Sequence, residues 1–88
     1  MSFTVRFSTY ALKQLSKLDK PIQKLILNWL KKHIEGTDNP RMKGKGLVGD
    51  RSGEWRYRVG DYRIIADIQD EIVTVLVIAV GHRKNIYL

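Results

Sequence analysis

The chain has 88 residues, 43% of them apolar, enough to bury one modest hydrophobic core, and it reads as a single domain over 1–88. Sixteen Lys and Arg against nine Asp and Glu leave a formal charge of +7, a long-range field that favours a polyanion, of which nucleic acid is the commonest. The absence of cysteine excludes disulfides, thiolate metal ligands and a cysteine nucleophile. The N-terminus has no apolar signal segment, and the longest apolar run, Ile72 to Val80, is too short to span a bilayer. A cytoplasmic protein with no membrane partner is therefore expected.

In chain order, Phe3, Val5 and Phe7 alternate with Thr4, Arg6 and Ser8, the pattern of a short strand with one apolar face. Ser8 or Thr9 can cap a following helix in which Leu12, Leu15 and Leu18 face inward and Lys13, Gln14 and Lys17 face water. Asp19 with Pro21 opens a second helix. Its stripe is Ile22, Leu25, Ile26, Trp29, Leu30 and Ile34, and Gly36 is placed to end it. Two helices joined so tightly predict a hairpin.

Residues 35–53 are rich in glycine and charge and read as one long loop. Loops of that length are uncommon unless functional or mobile. Arg41, Lys43, Lys45 and Arg51 make this one basic and are candidate RNA-binding residues, a solvated connector being the competing reading. Three strands follow, Glu54 to Val59, Tyr62 to Ile68 and Ile72 to Val80, with turns at Gly60-Asp61 and at Gln69-Asp70-Glu71. The order strand, two helices, three strands predicts an α+β fold, β-α-α-β-β-β, with the helical hairpin on one face of a small, mainly antiparallel sheet.

A two-residue turn at Gly60-Asp61 pairs Val59 with Tyr62 and Arg58 with Arg63, and alternation places Arg56 beside Arg58. If the second turn takes three residues, Ile68 pairs with Ile72, and the face of Arg63 also carries Val73, Val75 and Val77. Those valines with Ile65 would then form a second apolar patch inviting a covering segment, from a partner or from the protein's own loop. The same parity brings Arg83 beside the Arg58 and Arg63 pair. Clustered guanidiniums suit phosphate, because their forks match its oxygens bidentately and stay charged. His82 titrates in the right range for acid–base work but points away from Arg83 in an extended strand, so it is a second-tier acid/base candidate. No cluster has metal-ligand spacing, and no cofactor is implied.

The run Glu54-Trp55-Arg56-Tyr57-Arg58-Val59-Gly60-Asp61-Tyr62-Arg63, followed by Gly81-His82-Arg83-Lys84-Asn85-Ile86-Tyr87, resembles the signature of the RelE toxins within the RelE/ParE superfamily of toxin–antitoxin modules. The resemblance implies a RelE-like toxin domain that enters the ribosomal A site and cuts messenger RNA, inhibiting translation. It implies a metal-independent endoribonuclease, an mRNA interferase of the hydrolase class, held inactive in a hetero-oligomer with a cognate RelB-like antitoxin. By position, Arg56 and Arg58 match two basic strand residues, Arg63 a phosphate-clamping arginine, Arg83 an arginine near the leaving group, and Tyr87 a tyrosine that orients a nucleotide. These five are the candidate catalytic set, with Lys84 added to the RNA-binding group. Relatives often have lysine at the positions of Arg56 and Arg58, so a neutral lysine base is missing there. The ParE-like branch, which poisons gyrase without cutting RNA, is the alternative within the superfamily, and a non-catalytic RNA- or ribosome-binding module the alternative outside it.

Overall fold

The computed structural model describes residues 1–86. Strand β1 (Thr4–Phe7) leads into helices α1 (Thr9–Ser16) and α2 (Lys20–His33), followed by β2 (Lys45–Gly46), β3 (Trp55–Val59), β4 (Tyr62–Gln69) and β5 (Thr74–His82). The strands form one sheet in the order β1-β5-β4-β3-β2. Among the described strands only the β1–β5 pair is parallel. The predicted α+β class and mainly antiparallel sheet hold, with one strand more than the sequence suggests.

Ser8 caps α1 through its hydroxyl, which accepts the Ala11 N–H at 3.0 Å. Asp19 begins α2 in extended conformation with proline in the first turn, but its side chain makes no capping bond. Both helices cover one face of the sheet. There Ala11, Leu15, Ile26, Leu30 and Ile34 meet Tyr57, Val59, Ile64, Ala66, Val75, Val77 and Val80 in the main core. Two expected stripe residues lie outside it: Leu12 is 50% exposed and Leu25 47%. Ala11 takes the inward place on α1 because the helix starts at Thr9, which rotates Leu12 off the buried face. Gln14, expected to face water, instead reaches the sheet, where its Oε1 accepts the Val80 N–H at 2.7 Å.

The β3–β4 hairpin has the predicted register, with Val59 opposite Tyr62 and Arg58 opposite Arg63. Gly60 supplies φ +59° at the first central position of the turn, which a side chain would resist. The second hairpin departs from expectation. Ile68 pairs with Val75 and Gln69 with Thr74, not Ile68 with Ile72, because the connection includes a 3₁₀ turn over Asp70–Ile72 and Val73 in the left-handed region at φ 51°. A bulge follows, in which Ile65 faces Ala79 and Ala66 faces Val77, leaving Ile78 as the extra residue.

These shifts correct the second apolar patch. Val75 and Val77 are fully buried beneath the helices, and Val73 packs against the same core. The outer face instead carries a small cluster of Ile65, Ala79 and Ile86, with Leu47 and Ile78 against it. Leu47 comes from the long connection, so the protein's own loop supplies part of the cover.

That connection is fastened along its length. The Tyr57 hydroxyl donates to the Pro40 carbonyl at 2.6 Å in a buried setting, the Trp55 Nε1–H donates to the Lys43 carbonyl at 2.7 Å, and Arg41 grips Asp70 with two bonds of 2.9 and 2.8 Å. Burial pushes the Tyr57 phenol from its ordinary 10.0 up to about 12, against the opposing pull of the Arg41 charge. Ionisation would remove the donor and set an anion against the Pro40 carbonyl. A folded pKa above the unfolded one means that this contribution to stability is whole below pH 10 and is lost as pH rises towards 12. In an alkaline titration, we expect one tyrosine to ionise late as stability falls over that window. Tyr57→Phe should abolish the late step and cost about 1–2 kcal/mol in denaturant unfolding at neutral pH.

Candidate nucleic-acid interface

Alternation along β3 divides the strand's side chains between two environments. Trp55, Tyr57 and Val59 take the helix-covered side, and Arg56 and Arg58 take the outer side. On the outer side Arg58 lies opposite Arg63 of β4, and Arg63 in turn lies opposite Gly81 of β5. Like charges in directly opposed positions cost stability. Arg63 answers this by turning its guanidinium to the hairpin tip, where Nη1 donates to the carbonyls of Gly60 at 3.1 Å and Tyr62 at 3.0 Å. Arg63 is thereby buried to 8% exposure, whereas Arg58 stays exposed.

The sequence missed how the basic loop enters this face. Lys45 pairs with Arg56 and Gly46 with Trp55, so β2 adds an edge strand beside β3. Gly44 makes the approach feasible: its φ is +83°, and a Cβ there would meet the Arg56 carbonyl oxygen at 2.3 Å and Trp55 Nε1 at 2.7 Å. Two residues are too few for a period-2 pattern to register. The available signal was the alternation of lysine and glycine from Lys43 to Gly46 ahead of Leu47. The outcome is a cleft of about 230 Å³ lined by Gly44, Lys45, Arg56 and Arg58. Among the described residues none that lines it is acidic, and Gly44 leaves backbone close to the cavity.

Arg83 follows β5, and its backbone N–H donates to the Asp61 carbonyl at 2.8 Å, which fixes this residue's main chain beside the β3–β4 hairpin tip. Gly81 permits the next turn to fold back, since the Ile86 side chain lies 3.4 Å from where a Cβ would stand. Arg83 and Lys84 are exposed on that turn. Tyr87 lies outside the described residues. His82 faces the other way from Arg63 and Gly81, its ring edge-on to Tyr62 with centroids 5.5 Å apart.

The remaining loop cations are dispersed. Arg41 is held by Asp70 at the opposite end of β4 from the Gly60-Asp61 turn, and Arg51 pairs with Glu54 at 2.9 Å. Lys43 is exposed, and it is Lys43 rather than Lys45 whose carbonyl holds Trp55. Lys45 is thus the loop residue that joins Arg56 and Arg58. Among the described residues, no three His, Asp or Glu side chains gather as they would to hold a metal ion.

Comparison with known proteins places this arrangement. The family model described as ParE toxin of the type II toxin–antitoxin system, parDE, matches residues 5–87. The toxin RelG of Mycobacterium tuberculosis is 34% identical over 99% of this chain and 98% of its own length. The mRNA interferase toxin RelE of Escherichia coli is 31% identical over 97% of this chain and 87% of its own. In the crystal structure of the M. tuberculosis toxin–antitoxin complex RelBE2, one chain superposes with a TM-score of 0.83 at 31% identity, covering 97% of this chain and 95% of that one. The family match and these relatives make the chain a type II toxin–antitoxin toxin. The chain belongs to the RelE family of the RelE/ParE superfamily.

The close approach at Gly44 can be tested directly. Gly44→Ala forces a side chain into positive φ and against backbone, so we expect destabilisation on the order of 2 kcal/mol or release of the β2 edge. Amide exchange at Lys45 and Gly46 should accelerate, while the β4–β5 ladder stays protected.

Proposed function

We propose that this chain is a ribosome-dependent mRNA endoribonuclease, the toxin of a type II module, acting in the A site and neutralised by a cognate RelB-like antitoxin. The observation that carries the reading is the cleft on the outer sheet face, where Lys45, Arg56 and Arg58 from two adjacent strands surround one cavity. The naming of relatives as mRNA interferase and the toxin–antitoxin complex among the similar structures support it.

RNA supplies its own nucleophile for this chemistry. The 2′-hydroxyl oxygen attacks the adjacent phosphorus as its proton leaves, a 2′-O–P bond forms, and the bond to the 5′-oxygen breaks. That oxygen takes up a proton, leaving a 2′,3′-cyclic phosphate and a 5′-hydroxyl. Lys45, Arg56 and Arg58 hold the phosphate and spread its growing negative charge, work that preorganised donors do without rearranging. Arg63, committed to the turn carbonyls, braces the hairpin and adds positive charge behind Arg58. Arg83 serves the leaving-group side, and Tyr87, which lies outside the described residues, keeps the nucleotide-orienting role that the family resemblance implies. Arg83 acts there by charge, because a guanidinium gives up its proton only far above neutral pH.

For the antitoxin, the apolar groove between β1 and α2, lined by Val5, Phe7, Leu27, Leu30, Lys31 and Glu35, suits an amphipathic segment. The ParE-type reading has its own support in the matching family model, but a gyrase poison that cuts no RNA does not need this cluster of cations.

Purified protein mixed with programmed ribosomes, followed by mapping of RNA ends, should show cuts within A-site codons bearing cyclic phosphate. An intact message together with stalled gyrase would support the ParE-type reading, and binding without either would leave a non-catalytic module. Arg58→Ala should slow cleavage by about 10²–10³-fold. The same change removes one of two opposed charges, so its melting temperature should equal or exceed the parent's. Cleavage should persist when magnesium is replaced by cobalt hexammine, which screens phosphates but offers no open coordination position. Loss of cutting with ribosomes intact would count against metal-independent chemistry.

A further inference from the structure

His82 ends β5 and does more than stack on Tyr62. Its carbonyl accepts the N–H groups of Asn85 at 2.8 Å and Ile86 at 3.1 Å, and its ring Nδ1 accepts that of Lys84 at 3.2 Å. The remaining N–H of this turn, on Arg83, goes to the Asp61 carbonyl. One residue therefore satisfies three successive donors. This is what an aspartate or asparagine does when it caps a helical turn, with an imidazole nitrogen in the place of the side-chain oxygen.

We propose that His82 is the positioning residue for Arg83: its neutral imidazole, accepting through Nδ1, locks the turn over 83–86 and sets Arg83 beside the hairpin tip, and protonation releases it. The proposal rests on the reading of Arg83 as part of the RNA site. It differs from an acid–base role, because the imidazole lies on the opposite side of the sheet from Arg63 and Gly81 and has its acceptor already engaged. Protonated Nδ1 is a donor, so it would confront the Lys84 N–H with a second N–H.

Charged and titratable groups lie on each element around the ring. Tyr62 lies on β4 and Asp61 in the hairpin turn, Lys13 and Lys17 are on α1, which packs along β5, and Arg83 and Lys84 are on the turn itself. Only the start of the turn is released, because Ile86 stays anchored in the outer cluster at 5% exposure. His82 variants should accordingly remain folded.

Nuclear magnetic resonance on the full chain tests the cap without reference to cleavage. The ring should be the Nε2–H tautomer, and the Lys84 amide shift should follow protonation of the ring. His82→Asn keeps an acceptor where Nδ1 stood, so the Lys84 amide should stay protected and cleavage should lose its decline towards acid. His82→Gln reaches to the Nε2 position instead. It should expose the Lys84 amide and lower kcat about fivefold at every pH, the effect of a lost cap. A Lys84 amide indifferent to the ring, or an asparagine variant as impaired as the glutamine one, would overturn the proposal. If the amide tracks the ring while no variant, nor the parent, cuts RNA, the cap stands and the nuclease reading fails.

Discussion

Burial of Tyr57, Val59, Ile64 and Ala66 beneath the two helices decides which way Arg56 and Arg58 face. A strand alternates sides with every residue, so a slip of one position in β3 would drive guanidiniums into the core and expose a tyrosine and a valine. The cost of burying an unpaired cation makes that slip prohibitive. The basic face is thus enforced from the apolar one. The helices contribute to the site by holding register, without touching it.

Repulsion on the outer face is met locally. Arg63 is drawn back onto the turn carbonyls, which leaves Arg58 as the exposed member of the pair. The loop from α2 to β3 is fastened by Tyr57, Trp55 and the Arg41–Asp70 pair, and these tethers bring Lys45 to a third position beside Arg56 and Arg58. A fold seeking stability alone would intersperse acids here. Gathering cations around a cavity instead makes sense for an anionic ligand such as phosphate, whose oxygens guanidinium forks match.

Much of this was legible in the sequence where a local rule fixes geometry. The Gly60-Asp61 turn has two residues, so the Arg58–Arg63 pairing followed from counting, and of the two cap candidates Ser8 and Thr9 it is Ser8 that starts α1. What failed had no local code. The run from Ile72 to Val80 is apolar at nearly every position, so alternation could not reveal its register. The turn at Asp70–Ile72, the left-handed Val73 and the bulge at Ile78 then moved Val75 and Val77 from the expected outer patch into the core. Strand β2 was too short to recognise, although Lys45 was rightly counted among the basic residues. Cations look alike in sequence, and only the structure separates Lys45, which joins the cleft, from Arg41 and Arg51, which are held by Asp70 and Glu54.

The claim on which the account turns is that an RNA phosphate sits on the outer sheet face between β2 and β3. Titration of nitrogen-15-labelled protein with a short 2′-O-methyl RNA, which can bind but cannot react, locates that contact directly. The account predicts that the largest shift changes fall on Gly44, Lys45, Arg56 and Arg58, with Arg83 following. Changes concentrated on α1 and α2, or along the groove beside β1, with the cleft residues unmoved, would contradict it.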